Sequence, residues 1–497
     1  MMYKIDNQIT ITEFIFPFGK LDPNNRWVKI AELIPWQRYE ERYATRFPSH
    51  TGNPAIRFRM AFGTLIIKQR TGFSDEETLQ SIRENPYMQF LIGLHEFTQE
   101  EPFSQSSITN FRKYISQEMI NEINRELFAA EKGKNKNNDD NDGPANIPPD
   151  DSAPPTFGAD VPPANKGTML MDATCAPADI AYPTDVNLLN EAREKLEGII
   201  DSLYPHTGAM VKPRTYRRKA RKQYTAFIKQ RQPRKKTIRK AIGAQLRFVT
   251  RNLKHVDVQL QTASPEKLTH RQREWLATIR LLYKQQRLMY QSKTHSVPNR
   301  IVSIGQPHVR PIVRNKVRST TEFGAKVSVH MVDGYAFMDR LGWEAYNEEA
   351  LLIPTIEAYK EQHGCYPVAV MADRIYRNRD NLAFCKKRDI RLSGPRLGRP
   401  PKVADASIRK QAHRDAAARN AIEGKFGEGK TRYGLDRVMA RLQNTSETVI
   451  AMVFLCMNIG RRLRTFLFLL STLLKLACLL VDNRVCRQRF VVCQVVG

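Results

Sequence analysis

Cysteine is scarce and unpatterned in this 497-residue chain: seven residues, at 175, 365, 385, 456, 478, 486 and 493, with no Cys-x-x-Cys among them. An odd, scattered set supplies neither a zinc template nor a disulfide framework, and points to a reducing compartment. The N-terminus, "MMYKIDNQITITEFIFPFGKLD", lacks the basic start and long apolar stretch of a secretory signal, so a cytoplasmic protein is expected. Long hydrophobic runs are missing too, except "TFLFLLSTLLKLACLLV" at 465–481, which carries Lys475 inside it. A spanning helix needs about 20 predominantly apolar residues, so a buried or partner-packed helix is favoured there over a membrane anchor. No internal repeat is found. The most telling absence is negative charge: from Ser202 to Val256 there is no Asp or Glu, against seventeen Lys and Arg.

What is present is positive. Lys and Arg number 79 against 51 Asp and Glu, a formal net charge of +28. An excess of that size calls for a polyanionic partner, nucleic acid or an anionic membrane surface. The runs "RTYRRKARKQ" and "RQPRKKTIRK" concentrate it at Arg217, Arg218, Lys219, Arg221, Lys222, Arg234, Lys235 and Lys236, interleaved with Tyr216, Tyr224 and Phe227. Basic runs with aromatic spacing suit the phosphate backbone, which positions DNA without reading it.

Patterning divides the chain. Residues 1–130 are expected to be helical: "NPAIRFRMAFGTLIIKQ" has helical apolar spacing, Ser74 and Glu77 form a capping box, and a short helix from about Ser106 carries Arg112 and Lys113. Short helices with tight turns suit either a helix-turn-helix-like DNA-binding module or a plain helical bundle. Residues 131–167 are Asn/Asp/Pro/Gly-rich and cannot bury enough surface to order themselves, as in a linker. At 168 an apolar run ends at Asp172 as a buried strand would, and a basic helical insertion spans about 185–295, with Asp185 and Ser264 as caps. Strand signals follow in "RIVSI" and in "EFGAKVSVHMVDGYAFMDRLGW", which breaks at Asp333-Gly334 as a hairpin does. Then come a helix with Pro354 at its start, the strand "PVAVMAD" ending at Asp373, a short helix, "IRLSG", and a long charged helix carrying Glu423. The order predicts an α/β fold, a mixed sheet flanked by helices and split by the insertion.

One motif tempts a different reading. "GKFGEGKT" from Gly424 fits G-x-x-x-x-G-K-[ST], the phosphate-cradling loop of nucleotide triphosphatases. Such a loop leaves a buried strand and enters a helix, so that free backbone N–H groups meet the phosphates. Here the preceding residues, "SIRKQAHRDAAARNAIE", are charged and alanine-rich and read as helix. The context excludes the ATPase.

The acids are more informative. Asp172 and Asp373 at strand ends and Glu423 on a helix can converge at the top of a sheet. Three hard oxygen donors do not all ionise close together without a cation, and Mg²⁺ (or Mn²⁺) meets that need. Two such ions about 4 Å apart would clamp the attacking and leaving oxygens of a phosphodiester. Asp179, Asp185, Glu322, Asp333, Asp380 and Asp405 compete for the same roles.

The stretches "MDATCAPADIAYPTD", "RPIVRNKVRSTTEFGAKVSV", "VMADRIYRNRDNLAFCKKRDIRLSGPRLGRPPK" and "RNAIEGKFGEGKTRYGL" resemble bacterial insertion-sequence transposases of the DDE type, nearest the insertion-sequence five group. That family's signature around its last acid is Tyr-x2-Arg-x3-Glu-x6-Lys; Arg419, Glu423 and Lys430 stand at those spacings, and Ala416 replaces the Tyr. The resemblance implies an RNase H-like catalytic domain over 168–464 behind an N-terminal helical DNA-binding domain. It makes Asp172, Asp373 and Glu423 the metal-binding triad, and places Arg419 and Lys430 against DNA phosphates. It further implies recognition of terminal inverted repeats on double-stranded DNA, attack by water and then a 3′-hydroxyl, at least a homodimer in the working, nucleoid-associated complex, and no small-molecule substrate. The apolar extension 465–497 has no counterpart in it. A catalytically inactive DNA-binding descendant is the alternative function.

Overall fold

The computed structural model describes residues 9–17, 19–48, 54–136, 164–313, 321–394 and 406–466. Most of the expected linker, Asp405, and the apolar segment beyond 466 lie outside the described residues.

Seven helices open the chain: α1 (Arg26–Leu33), α2 (Trp36–Ala44), α3 (Phe58–Thr71), α4 (Asp75–Glu84), α5 (Pro86–Leu91), α6 (Gln105–Tyr114) and α7 (Gln117–Lys136). The expected capping box starts α4, with Ser74 Oγ accepting from Glu77 N and the Glu77 carboxylate from Ser74 N. Aromatic packing ties this region together, Phe58 stacking on Phe62 at 5.2 Å beside Trp36 and Tyr39.

Strand β1 (Thr168–Pro177) then enters the sheet. The insertion leaves it as α8 (Asp185–Leu203), α9 (Arg217–Ile228), α10 (Lys235–Thr262) and α11 (His270–Ser292), helical as expected. Leu189, Leu196 and Ile200 of α8 pack with Val249 and Val256 of α10 and Ile279 of α11 in a core of their own. The fully buried Arg193 of α8 is held there by Glu197 at 2.7 Å and by Asn190 and Glu194 at 2.8 Å each. Two caps differ from expectation. Thr184, not Asp185, caps α8, and the Asp185 carboxylate instead accepts from Gln286 and Arg300 at 2.8 and 2.7 Å. Ser264 caps only a three-residue turn, while Thr269 and Gln272 form the capping box of α11. "RIVSI" is also not a strand. Its Ile301 and Ile304 turn into the insertion's core, where burying them outweighs their β propensity.

The strand comes later, as β2 (Arg310–Val313), followed by β3 (Thr321–Val332), β4 (Tyr335–Gly342), α12 (Leu352–His363), β5 (Ala369–Met371), α13 (Arg379–Lys387), β6 (Arg391–Leu392), α14 (Ala406–Tyr433) and α15 (443–466). The β3–β4 hairpin turns at Asp333 and Gly334, at φ of 49° and 79°, the left-handed pair that a two-residue hairpin turn requires. The sheet runs β2-β3-β1-β5-β6, with β4 also on β3; β3 is antiparallel to β1, whereas β5 and β6 run parallel to it. This is the expected mixed sheet flanked by helices. β1 and β3 approach so closely at Gly324 that a Cβ there would sit 2.1 Å from the Ala176 carbonyl oxygen.

Alternation along the strands builds two cores. Met169, Met171, Tyr335 and Phe337 face α12 and α13. Val327, Val329, Ala336 and Met338 face the other way, where Ile422 and Phe426 of α14, the apolar face of α15 and the N-terminal helices form one continuous core. A buried amide ladder crosses that layer. Asn458 on α15 accepts from Ala336 N at 2.9 Å, and it donates to Ala336 O at 2.7 Å and to Asn124 Oδ1 on α7 at 2.8 Å. Replacing Asn458 with Ala strands the buried Ala336 N–H and the Asn124 Oδ1, while the Ala336 carbonyl keeps only the Asn124 amide at 3.2 Å. Chemical denaturation should show a loss of about 2–3 kcal/mol, the cost of unsatisfied buried groups.

Candidate active site

β1 and β5 pair in parallel, with Thr168 beside Ala369, Met169 beside Val370 and Leu170 beside Met371. Two residues beyond that last pair on each chain stand Asp172 and Asp373. The backbone is still extended at Asp373, with φ −71° and ψ 164°. Continuing the register places the two aspartates abreast, about 4.8 Å being the spacing of neighbouring strands. Asp172 shares its face with Leu170, on the side where α14 packs on β1 and β5. Asp172 does not end its strand, as the apolar run implied. It sits midway along β1, because β3 continues to pair with β1 as far as Pro177 while β5 stops at Met371.

The turn after Asp373 is pinned from several directions. Asp373 Oδ1 accepts from Arg374 N at 2.6 Å and caps the short helical turn Arg374–Tyr376. Ser393 Oγ accepts from Ala372 N at 3.0 Å, and Arg377 donates to the carbonyls of Leu392 and Ser393 at 2.6 and 2.9 Å. Tyr376 is fully buried beneath the turn, with its hydroxyl 3.4 Å from Glu348. Burial pushes that hydroxyl's pKa well above the usual tyrosine range, and the nearby carboxylates of Glu348, Asp172 and Asp339 add to the effect. Ser393, Arg377 and Tyr376 went unremarked in the sequence as supports, although Arg377 and Tyr376 lie within three or four residues of the second acid.

From α14, Arg419 reaches Asp373 at 3.5 Å. Glu423, one turn on, is exposed, because Ile422 and Phe426 occupy the inward face. Lys430 is half-buried two turns further. The helix does not fray after Glu423: it continues through Gly424, Gly427 and Gly429 to Tyr433. These glycines carry helical hydrogen bonds rather than free N–H groups, which removes the phosphate-loop reading structurally as well. At Gly429 the missing side chain serves packing, since a Cβ would lie 3.1 Å from Met457 Sδ on α15.

The competing acids have other employment. Asp179 holds Arg437 at 2.7 Å, Asp185 is engaged as above, Asp333 forms the hairpin turn and Asp380 opens α13. Three carboxylates are the hard-oxygen set that Mg²⁺ or Mn²⁺ prefers, so in kind Asp172, Asp373 and Glu423 fit a divalent ion. In place, only the two aspartates are brought together by the register. Among the described residues no three His, Cys, Asp or Glu side chains stand close enough to hold an ion.

The predicted phosphate-binding residues separate into two groups. Arg112 is engaged inside the N-terminal region: with Lys68 it holds Asp75, at 2.6 and 2.7 Å. Arg217 grips both oxygens of Asp201 at 2.8 and 3.0 Å. Lys113, Arg218, Lys219, Arg221, Lys222, Arg234, Lys235 and Lys236 are exposed to solvent.

Comparison with known proteins is consistent with this geometry. Residues 370–460 match the family model described as the transposase DDE domain, a span that holds Asp373, Arg419, Glu423 and Lys430 and begins after Asp172. Residues 17–114 match a second model, described as a transposase domain. Together the matches bear out the resemblance to bacterial insertion-sequence transposases of the DDE type. A curated relative, "Uncharacterized protein ORF8 in nfe locus" of Rhizobium meliloti, is 34% identical over 103 residues, 21% of this chain and 49% of that protein. The chain thus spans about half the length of that relative. No solved structure matches. No helix among the described residues is long and apolar enough to cross a membrane, and the run from 467 lies outside them.

Burial alone would raise the pKa of Asp75, but the charges of Lys68 and Arg112 hold it below the usual carboxylate value. A depressed folded-state pKa contributes stability that is present above the unfolded value and lost as pH falls through the folded one. Asp75→Asn should therefore cost about 1–2 kcal/mol at neutral pH. In urea titrations its gap to wild type should narrow as pH drops below about 4.

Proposed function

We propose that this chain is an active transposase of the insertion-sequence five type, which binds terminal inverted repeats and catalyses metal-dependent strand cleavage and strand transfer. The observation that supports the proposal is the parallel β1–β5 pairing, two residues beyond whose last pair stand Asp172 and Asp373, with α14 packed on both strands. Asp172, Asp373 and Glu423 would hold the Mg²⁺ or Mn²⁺ ions. Those ions, when bound, supply charge neutralisation and polarisation at the scissile phosphate. The chain's own groups do the rest. The pinned turn 373–376 fixes one carboxylate, β1 fixes the other, and Arg419 offsets their mutual repulsion until a phosphate or cation arrives. Arg419 and Lys430 flank the third acid as donors to phosphate oxygens.

The exposed cations of α9 and the start of α10 supply the sequence-independent grip on double-stranded DNA, with no small-molecule substrate. Residues 1–130 act as an end-recognition domain and 131–167 as a linker to the catalytic unit 168–464. The working complex is at least a homodimer on the nucleoid. The alternative, an inactive DNA-binding descendant, predicts binding without chemistry.

Asp373→Ala separates the two. Cleavage of a duplex bearing the element's ends should fall more than about 100-fold, some 2.7 kcal/mol of barrier, with DNA binding retained. Undiminished cleavage would refute the enzymatic assignment. Lys430→Ala should lower end cleavage or end affinity by about tenfold, the loss of one charge-assisted phosphate contact, as read in gel-shift and nicking assays.

A further inference from the structure

The two most exposed large apolar side chains among the described residues lie on a loop of the insertion, far in sequence from the carboxylates. Met210 is 99% exposed and its neighbour Val211 is 80% exposed. They occupy the bend between α8 and α9. That bend is tied down rather than loose. The Tyr204 hydroxyl donates to the Met210 carbonyl at 3.3 Å, and Thr207 Oγ1 donates to the Tyr204 carbonyl at 2.8 Å. On the far side Lys212 meets Asp201 at 2.7 Å, and the same aspartate receives the Arg217 guanidinium. A single acid at the end of α8 therefore ties down two points of the loop's far arm. Its apolar tip is left standing in water, where a slack loop would fold it down.

Apart from Asp201, which Lys212 and Arg217 neutralise, the charges that follow the tip along the chain are cationic. No acid occurs between 202 and 256. α9, which starts six residues after the tip, presents Arg218, Arg221, Lys222 and Lys229 along one shallow groove. An apolar point followed by a row of exposed cations matches a duplex, whose outer edges are phosphates and whose interior is an apolar base stack. Proteins that bend DNA insert such aliphatic wedges between base steps.

Resting on the DNA-binding reading above, we propose that Met210 and Val211 form a wedge that enters a base step of double-stranded DNA while the α9 cations hold the flanking phosphates. Unstacking a step locally would let the ends of an element be deformed by the insertion, apart from the site that cuts them.

The test uses the full chain and a 20-base-pair duplex, about two helical turns, carrying 2-aminopurine at several positions, a base that brightens when unstacked. Wild type should bind and raise the fluorescence several-fold. Met210→Ser with Val211→Ser removes no buried contact, so circular dichroism should match wild type. Its affinity should stay within about twofold, under half of the 1.4 kcal/mol that a tenfold change represents, and the fluorescence rise should vanish. Arg218→Ala with Lys222→Ala should weaken binding and reduce the salt slope by about 1.8, two phosphates at about 0.9 each. A rise that survives the double serine variant, or wild-type binding without a rise, overturns the wedge and leaves the DNA-binding reading standing. Pelleting with phosphatidylserine vesicles, or self-association, that depends on Met210 and Val211 would overturn it in favour of a membrane or a second copy. No DNA binding at all would overturn both readings.

Discussion

The parallel pairing of β1 with β5 is the constraint around which the rest of the sheet is arranged. Its last pair stands two residues before Asp172 on one strand and two before Asp373 on the other, and neither strand can slip by one residue without turning its whole apolar set to the wrong face. Asp172 takes the Ala173 N–H and Asp373 takes the Arg374 N–H, at 2.7 and 2.6 Å, and Arg419 brings a guanidinium to the second. The turn carrying Asp373 is accordingly over-determined: Ser393, Arg377, Asn381 and the buried Tyr376 all hold it.

The insertion solves a different problem. A helical unit of more than a hundred residues placed between two strands of one sheet would disrupt that sheet unless it could bury its own apolar surface. It does so around Leu196, Val249 and Ile279, with Arg193 neutralised internally. Its outer surface is thereby released from packing duty and can carry a large excess of Lys and Arg, densest along α9 and the start of α10. The N-terminal helices made the opposite choice, sharing their core with α14, α15 and one face of the sheet. The Asn124–Asn458–Ala336 ladder fixes that union, since each of its groups would be costly to leave unpaired.

Much of this was legible in the residues. The hairpin at Asp333-Gly334, the capping box at Ser74 and the helical character of the insertion followed from periodicity and turn chemistry, because those signals are local. The misses share a cause. "RIVSI" looked like a strand, yet Ile301 and Ile304 were claimed by the insertion's core, a contact across the chain that no window reveals. Asp172 seemed to end its strand because polarity rises there, whereas the strand's length is set by its antiparallel partner β3. Arg112 and Arg217 looked like free cations, and only the fold shows Asp75 and Asp201 beside them.

The glycine-rich stretch of α14 shows how far a motif can mislead while its neighbours inform. Three glycines within six residues weaken a helix by about 1 kcal/mol each, so something else must hold it. Here Ile422 and Phe426 bury against the sheet, and Gly429 lets α15 come within van der Waals reach. That same inward face forces Glu423, the next residue after Ile422, toward solvent. Yet Glu423 lies on the same flank as Arg419, about 6 Å along the axis from a residue that already touches Asp373.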